Sequence, residues 1–280
     1  MHYAVLGSTG LRVSRLCAGT DVNLPPEHLL PVVRRAAALG VNFIDTDHGY
    51  SYTDATGRTG RSWEAVREWL REVDRSRVVI ASKTYQTTPD LVLRQAEEAL
   101  RELDTPYLDL FLAHGLNTLE DWERFRPGLQ GCLQARDRGL VRHVGMSTHT
   151  VTLTRLAAHN PELEVLLVTL NITGKVMKRS GSPAQMQEAM QVLFEQGRGV
   201  YIMKALARGR VFREGDELVA PGDHTLSPDQ VERALTYVFR CPWAHAVTVG
   251  MRSPAHVEED ATIQGRVDAE CGRWPSAPEA

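Results

Sequence analysis

The sequence predicts a parallel (β/α)8 barrel, an α/β TIM-barrel fold, entered through a short N-terminal β-hairpin. Three observations carry this. Short apolar runs alternate with amphipathic segments at a period of roughly 30 residues from Arg15 onward. Counted this way the units number eight, the complement of a closed barrel of roughly 250 residues. Finally, Gly19-Thr-Asp21 follows the first strand without the glycine-rich fingerprint of an open doubly wound nucleotide-binding sheet.

The elements follow in order. Tyr3 to Leu6 and Leu11 to Val13 alternate around Gly7-Ser-Thr-Gly10, which reads as a hairpin. Arg15 to Gly19 is the first barrel strand. Glu27 to Leu39 is a helix with Leu29, Val32, Val33, Ala36 and Leu39 on one face, stopped by Gly40. Val41 to Asp45 is a strand, Ser62 to Val73 a helix, and Val78 to Ser82 a strand ending at Lys83. Thr88-Pro89 starts a helix over Leu91 to Leu103. Tyr107 to Ala113 is a strand ending at His114. Leu119 to Arg138 contains a helix that Pro127-Gly128 is expected to interrupt. Val141 to Met146 is a strand ending at Ser147, Thr150 to Ala158 a short helix, and Glu164 to Leu170 a strand. Ser182-Pro183 starts a helix running to Gln196, and Val200 to Met203 is a strand ending at Lys204. A long loop spans Leu206 to Leu226. Ser227-Pro-Asp-Gln230 combines an N-cap, a first-turn proline and a reach-back glutamine. That helix runs to Phe239. Ala244 to Val249 is the last strand, and Ser253-Pro254 starts the last helix. One domain over 1–264, with its hairpin at 3–13, and a loose polar tail over 265–280 are expected.

The chain has 280 residues, 42% hydrophobic and 24% charged, which is ordinary globular composition. A net charge of -3 without a basic stripe argues against a general nucleic-acid partner. No apolar run reaches the roughly 20 residues of a membrane span. The first residues do not read as a signal peptide. Cys17, Cys132, Cys241 and Cys271 are scattered, so neither a disulfide framework nor a metal site is expected. Reduced thiols and a cytoplasmic location follow as expectations.

In a (β/α)8 barrel the strands aim their C-terminal ends at one face, where sites are built. Phe43-Ile-Asp-Thr-Asp-His-Gly-Tyr50 delivers two acids, an imidazole and a phenol from one strand end. Lys83, His114 and Ser147 end further strands. Each has a plain reading. Lys83 could sit on a frayed strand end, Asp45 could cap a turn, His114 could be a core histidine and Tyr50 an aromatic lid. Together they form a device. A lysine in an apolar strand needs a partner, and Asp45 lies on the neighbouring strand. An ammonium beside a tyrosine favours the phenolate. A neutral imidazole can hydrogen-bond and orient a carbonyl oxygen. The result is a proton donor placed where an alkoxide develops.

Here the chain resembles the aldo-keto reductase superfamily. The matching pieces are Gly40-Val-Asn-Phe-Ile-Asp-Thr46 with Tyr50, Ala81-Ser-Lys83 and Tyr107-Leu-Asp-Leu-Phe-Leu-Ala-His114. Gly139 to Ser147 and Val249 to Asp260 complete them. The resemblance implies NADP(H)-dependent reduction of a small-molecule carbonyl substrate, with Asp45, Tyr50, Lys83 and His114 as catalytic residues. It also implies a cofactor extended over the barrel mouth. Its contacts would come from Thr20, Asp45, Ser147, Thr148, Met203, Lys204, Gly250, Arg252, His256, Glu259 and Asp260. Ser147 would meet the carboxamide, the loop after Lys204 the pyrophosphate, and Gly250 to Arg252 the adenosine phosphate. A helix N-terminus at Ser253-Pro254 and the fork of Arg252 suit a phosphate.

Some positions depart from the superfamily. Thr148 replaces a usual asparagine, Leu167 lies near a usual glutamine, Met203 replaces a stacking tyrosine, and Asp47 replaces a common alanine. The first three loosen the expected nicotinamide clamp. Phe239-Arg-Cys-Pro-Trp and Met251-Arg-Ser-Pro are similar to members with a cysteine-rich iron–sulfur tail. After them this chain carries Cys271 alone, so no cluster is expected. Two alternatives stand beside the reductase. One is a cofactor-binding sensor, as in the potassium-channel β subunits of the superfamily. The other is a metal-dependent lyase or hydrolase using Asp45, Asp47, His48 and His114.

Overall fold

Barrel strands buried on both faces read as unbroken apolar runs and need cover on both sides. The computed structural model meets that demand. It describes residues 1–54, 56–178, 180–213 and 226–272. In chain order the first elements are β1 (Tyr3–Val5), β2 (Arg12–Ser14), β3 (Leu16–Gly19), α1 (Pro26–Ala38), β4 (Phe43–Asp45), β5 (Ser51–Thr53), β6 (Thr59–Arg61) and α2 (Trp63–Leu70). There follow β7 (Val79–Thr84), α3 (Pro89–Leu103), β8 (Leu108–Ala113), α4 (Leu119–Asp137), β9 (Val141–Thr148), α5 (Val151–Ala157), β10 (Val165–Thr169) and α6 (Pro183–Glu195). The chain continues through β11 (Gly199–Met203), α7 (Pro228–Phe239), β12 (Ala246–Gly250) and α8 (Pro254–Cys271). The eight strands β3, β4 and β7 to β12 close into a parallel barrel, with β12 pairing back to β3. The expected (β/α)8 barrel and its entry hairpin, β1 with β2, are both present.

Alternate strand residues fill the barrel. Cys17, Phe43, Ala81, Leu110, Leu112, Leu167 and Tyr201 belong to one interior cluster. A larger cluster packs the outer strand faces against the helices. The hairpin loop closes the bottom. Leu6 and Val13 join the interior cluster, and Ser8 N donates to Gly197 O at 2.7 Å. Gly145 on β9 allows a close strand approach, because a Cβ there would stand 1.8 Å from Val165 O.

Three elements differ from expectation. α4 runs unbroken through Pro127. Pro127 and Glu123 are exposed, so the carbonyl freed by the missing N–H faces water. Its Gly128 and Gly131 leave room for the start of α3, since a Cβ on Gly131 would meet Pro89 O at 2.4 Å. The β5–β6 hairpin was not expected; its residues are mostly polar and show no apolar alternation. The boundary placed at 265 is too early, because α8 continues to Cys271. Its last turns bury Val267 and Asp268, and Asp268 pairs with the fully buried Arg15. Arg15 also donates to Phe239 O at 2.9 Å. Much of the expected loop at 206–226, and residues 273–280 of the expected tail, lie outside the described residues.

Candidate active site

Period-2 alternation builds the site. Phe43, Ala81 and Leu112 point into the barrel. Two residues further on come Asp45, Lys83 and His114, one layer up at the C-terminal mouth. Lys83 Nζ donates to Asp45 Oδ1 at 2.8 Å and to Thr46 O at 3.0 Å. Lys83 and Asp45 are 1% and 3% exposed, so each charge depends on the other. Tyr201, from β11 three strands away around the barrel, donates its hydroxyl to Asp45 Oδ2 at 2.9 Å. Burial, and then Asp45, push the Tyr201 phenol well above its ordinary value.

Tyr50 lies in the loop after β4. Its ring centre is 4.9 Å from Lys83 Nζ and 5.8 Å from the His114 ring, which it meets edge to face. The four expected catalytic residues are therefore together. The phenol's acidity, however, departs from expectation. Burial, followed by Asp45, Asp21 and Asp47, holds Tyr50 well above its ordinary value. An ammonium over the ring face does not offset desolvation and three nearby carboxylates.

Asp47 and Tyr85 join the group. Asp47 is wholly buried, and its Oδ2 lies 3.0 Å from His114 Nδ1. Its Oδ1 accepts from Gly49 N at 2.5 Å. Tyr85 stacks on the imidazole at 4.2 Å, with its hydroxyl 3.3 Å from Nε2. Asp45, Asp47 and His48 do not gather around a metal position. Lys83 holds Asp45, His114 holds Asp47, and His48 Nδ1 lies 3.0 Å from Arg61 Nη1. Among the described residues, His48, Glu98 and Glu102 form the one set spaced for a metal. Arg61 already bridges two of its members, donating to Glu102 at 2.9 Å.

The expected cofactor residues line the rim in part. Thr20 Oγ1 donates to Thr46 Oγ1 at 3.0 Å. Ser147 Oγ accepts from Gly115 N at 2.7 Å. The Thr148 hydroxyl is fully buried and accepts from Thr150 N at 3.1 Å, so it is committed to the start of α5. Leu167 and Met203 belong to the apolar interior cluster. Sequence reasoning missed the polar pair beside them. Thr169 Oγ1 lies 2.7 Å from His149 Nδ1. Burial, then Lys204, Lys178, His114 and Arg208, push His149 down to about 3, which keeps it neutral. Counting two residues on from Leu167 would have found Thr169.

Lys204 and Arg208 both reach Asp21, at 3.3 and 3.2 Å. Burial depresses Lys204, and Asp21 opposes that. Arg252 Nη1 donates to Val22 O at 2.6 Å. Gly250 ends β12, and a Cβ there would stand 2.9 Å from Val22 Cγ1. Ser253 caps α8 by accepting from His256 N at 3.2 Å. Glu259 is exposed, while Asp260 is buried beside it. Burial, then Glu259, raise Asp260 to about 8.

The model of the aldo/keto reductase family matches residues 15–257. An uncharacterized oxidoreductase of Bacillus subtilis, YrpG, is 28% identical over 166 residues, which is 52% of this chain and 49% of that protein. The NAD/NADP-dependent indole-3-acetaldehyde reductase of Schizosaccharomyces pombe is 31% identical over 175 residues, 61% of this chain and 54% of that one. The chain thus spans about half the length of these curated relatives. The holo form of aldo-keto reductase AKR11C1 from Bacillus halodurans superposes with a TM-score of 0.74 at 17% identity, covering 100% of this chain and 99% of that one. That likeness concerns the fold. With the family model spanning nearly the whole barrel, the chain belongs to the aldo/keto reductase family.

Proposed function

We propose that this chain reduces an aldehyde or ketone to an alcohol using NADP(H), with Tyr50 as the proton donor. The observation that carries this is the buried Asp45–Lys83 pair set against the Tyr50 ring, with His114 across from it. The nicotinamide, when bound, supplies a hydride to the carbonyl carbon.

The protein's part is positioning and proton supply. Asp45, fixed by Tyr201, holds the Lys83 ammonium under the phenol. As negative charge develops on the carbonyl oxygen, that ammonium and the Tyr50 hydroxyl stabilise it. Tyr50 gives its proton to the oxygen. Its raised pKa fits a group that keeps its proton until an alkoxide, a much stronger base than a phenolate, forms beside it.

The donor set suits a dinucleotide. Ser147 offers a hydroxyl at the mouth, and Lys204 and Arg208 offer cations to a pyrophosphate. Arg252 and the start of α8 offer a fork and free N–H groups to the adenosine phosphate. The named activity of the Schizosaccharomyces pombe relative, reduction of an aldehyde, agrees with this reading. NADPH oxidation with a panel of aldehydes and ketones tests it.

A second reading, cofactor binding without turnover, is favoured by one feature. Leu167 and the turned-in Thr148 give the carboxamide few partners. NADPH binding without oxidation by any carbonyl would select it.

A further inference from the structure

Asp47 is the residue the family pattern does not account for. It is wholly buried, pinned by Gly49 N, and 3.0 Å from His114 Nδ1. A carboxylate can only accept, so the nitrogen facing it carries the proton. In the neutral ring this leaves Nε2 with a lone pair. Such a nitrogen cannot donate to a carbonyl oxygen. It can do so only when the ring carries both protons. Asp47 therefore excludes the role of a neutral imidazole that merely orients the carbonyl. Tyr85, which is 59% exposed, places its hydroxyl 3.3 Å from Nε2 and so marks where a substrate oxygen would be received.

We propose that Asp47 and His114 form a second proton-transferring pair at the substrate oxygen. This inference rests on the reductase reading above. In a reduction where Tyr50 keeps its proton and only hydrogen-bonds the oxygen, hydride reaches the carbonyl carbon, the C=O π electrons move to oxygen, and the imidazolium gives its Nε2 proton to that oxygen. One proton is thus transferred per turnover, by one donor or the other. The ring returns to its Nδ1–H form and is reprotonated from water. In oxidation of an alcohol, Nε2 takes the hydroxyl proton as hydride leaves for the oxidised cofactor. Asp47 is a positioning residue: it fixes the tautomer and pairs with the imidazolium. The raised pKa of Tyr50, held up by desolvation first and by Asp45, Asp21 and Asp47 after it, gives such a pair a place in the chemistry. The titratable groups facing His114 are Asp47 and Tyr50 after β4, Lys83 and Tyr85 from β7 and its loop, and His149 after β9.

Two measurements test the pair. Long-range proton–nitrogen NMR spectra of 15N-histidine protein, assigned with His114→Gln, report the tautomer without turnover. The expected result is Nδ1–H for neutral His114 in the wild type, lost in Asp47→Asn. A neutral Nε2–H tautomer in the wild type overturns the proposal. The second measurement uses NADPH and 4-nitrobenzaldehyde across pH. Asp47→Asn is expected to lower kcat by roughly tenfold to a hundredfold with little change in KM, and to remove the imidazole limb of the profile. Residual activity in Tyr50→Phe is expected to fall as pH rises, because it depends on the protonated ring. Wild-type turnover with an unchanged profile in Asp47→Asn overturns the pair alone. No turnover of any carbonyl by the wild type overturns the reductase reading, and the proton transfer with it.

Discussion

Lys83 Nζ and Asp45 Oδ1 meet at 2.8 Å with almost no solvent on either side chain. Removing one partner of such a pair strands the other charge. Asp45→Leu is expected to cost about 3–5 kcal/mol in chemical denaturation. Adding Lys83→Met should restore most of that loss, because two apolar side chains then replace two ions. Both variants should be inactive. Additive destabilisation in the double variant would show that the pair is not coupled.

Asp260 gives a pH dependence with a definite sign. Its folded value is about 8 against an ordinary 3.8, through burial first and Glu259 second. The folded state therefore keeps a proton that the unfolded chain releases. Stability is fully present below about pH 4 and is lost as pH rises toward 8. Asp260→Asn carries no such penalty. Its stability advantage over the wild type should be small at pH 4, grow to a few kcal/mol by pH 8 and then level off. A constant difference across that range would mean that Asp260 is ionised in the folded protein.

Much of the architecture was legible because apolar periodicity states it directly. Val78 to Ser82 and Tyr107 to Ala113 read as strands in the sequence, the structure has Val79–Thr84 and Leu108–Ala113 there, and their ends placed Lys83 and His114 at the mouth. Relationships that need the closed barrel were not legible. Tyr201 reaches Asp45 from 156 residues away, and Asp47 reaches His114 from 67. Nothing local in either segment signals its partner. The end of α8 was misread for another reason: its buried face includes Gln264 and Asp268, polar residues that a hydrophobic pattern ignores. Thr148 was read by position alone, and its hydroxyl turned out to serve the start of α5.

Arg252 bears on the choice of cofactor. Val22 O holds Nη1, and among the described residues the other guanidinium nitrogens have no protein acceptor. A charge-assisted contact to the extra phosphate is worth about 1.5–3 kcal/mol. NADPH should therefore bind roughly tenfold to a hundredfold more tightly than NADH in calorimetric titration. Arg252→Ala should remove the preference by weakening NADPH alone. Equal affinities in the wild type would contradict this.

The central claim is that Tyr50 delivers the proton beside the buried Asp45–Lys83 pair. Tyr50→Phe deletes one hydroxyl and little surface. The decisive measurement compares wild type and Tyr50→Phe for NADPH binding by fluorescence and for NADPH-dependent reduction of 4-nitrobenzaldehyde. The account predicts matching cofactor affinities and a loss of most turnover, on the order of a hundredfold or more. Wild-type turnover retained in Tyr50→Phe would contradict it.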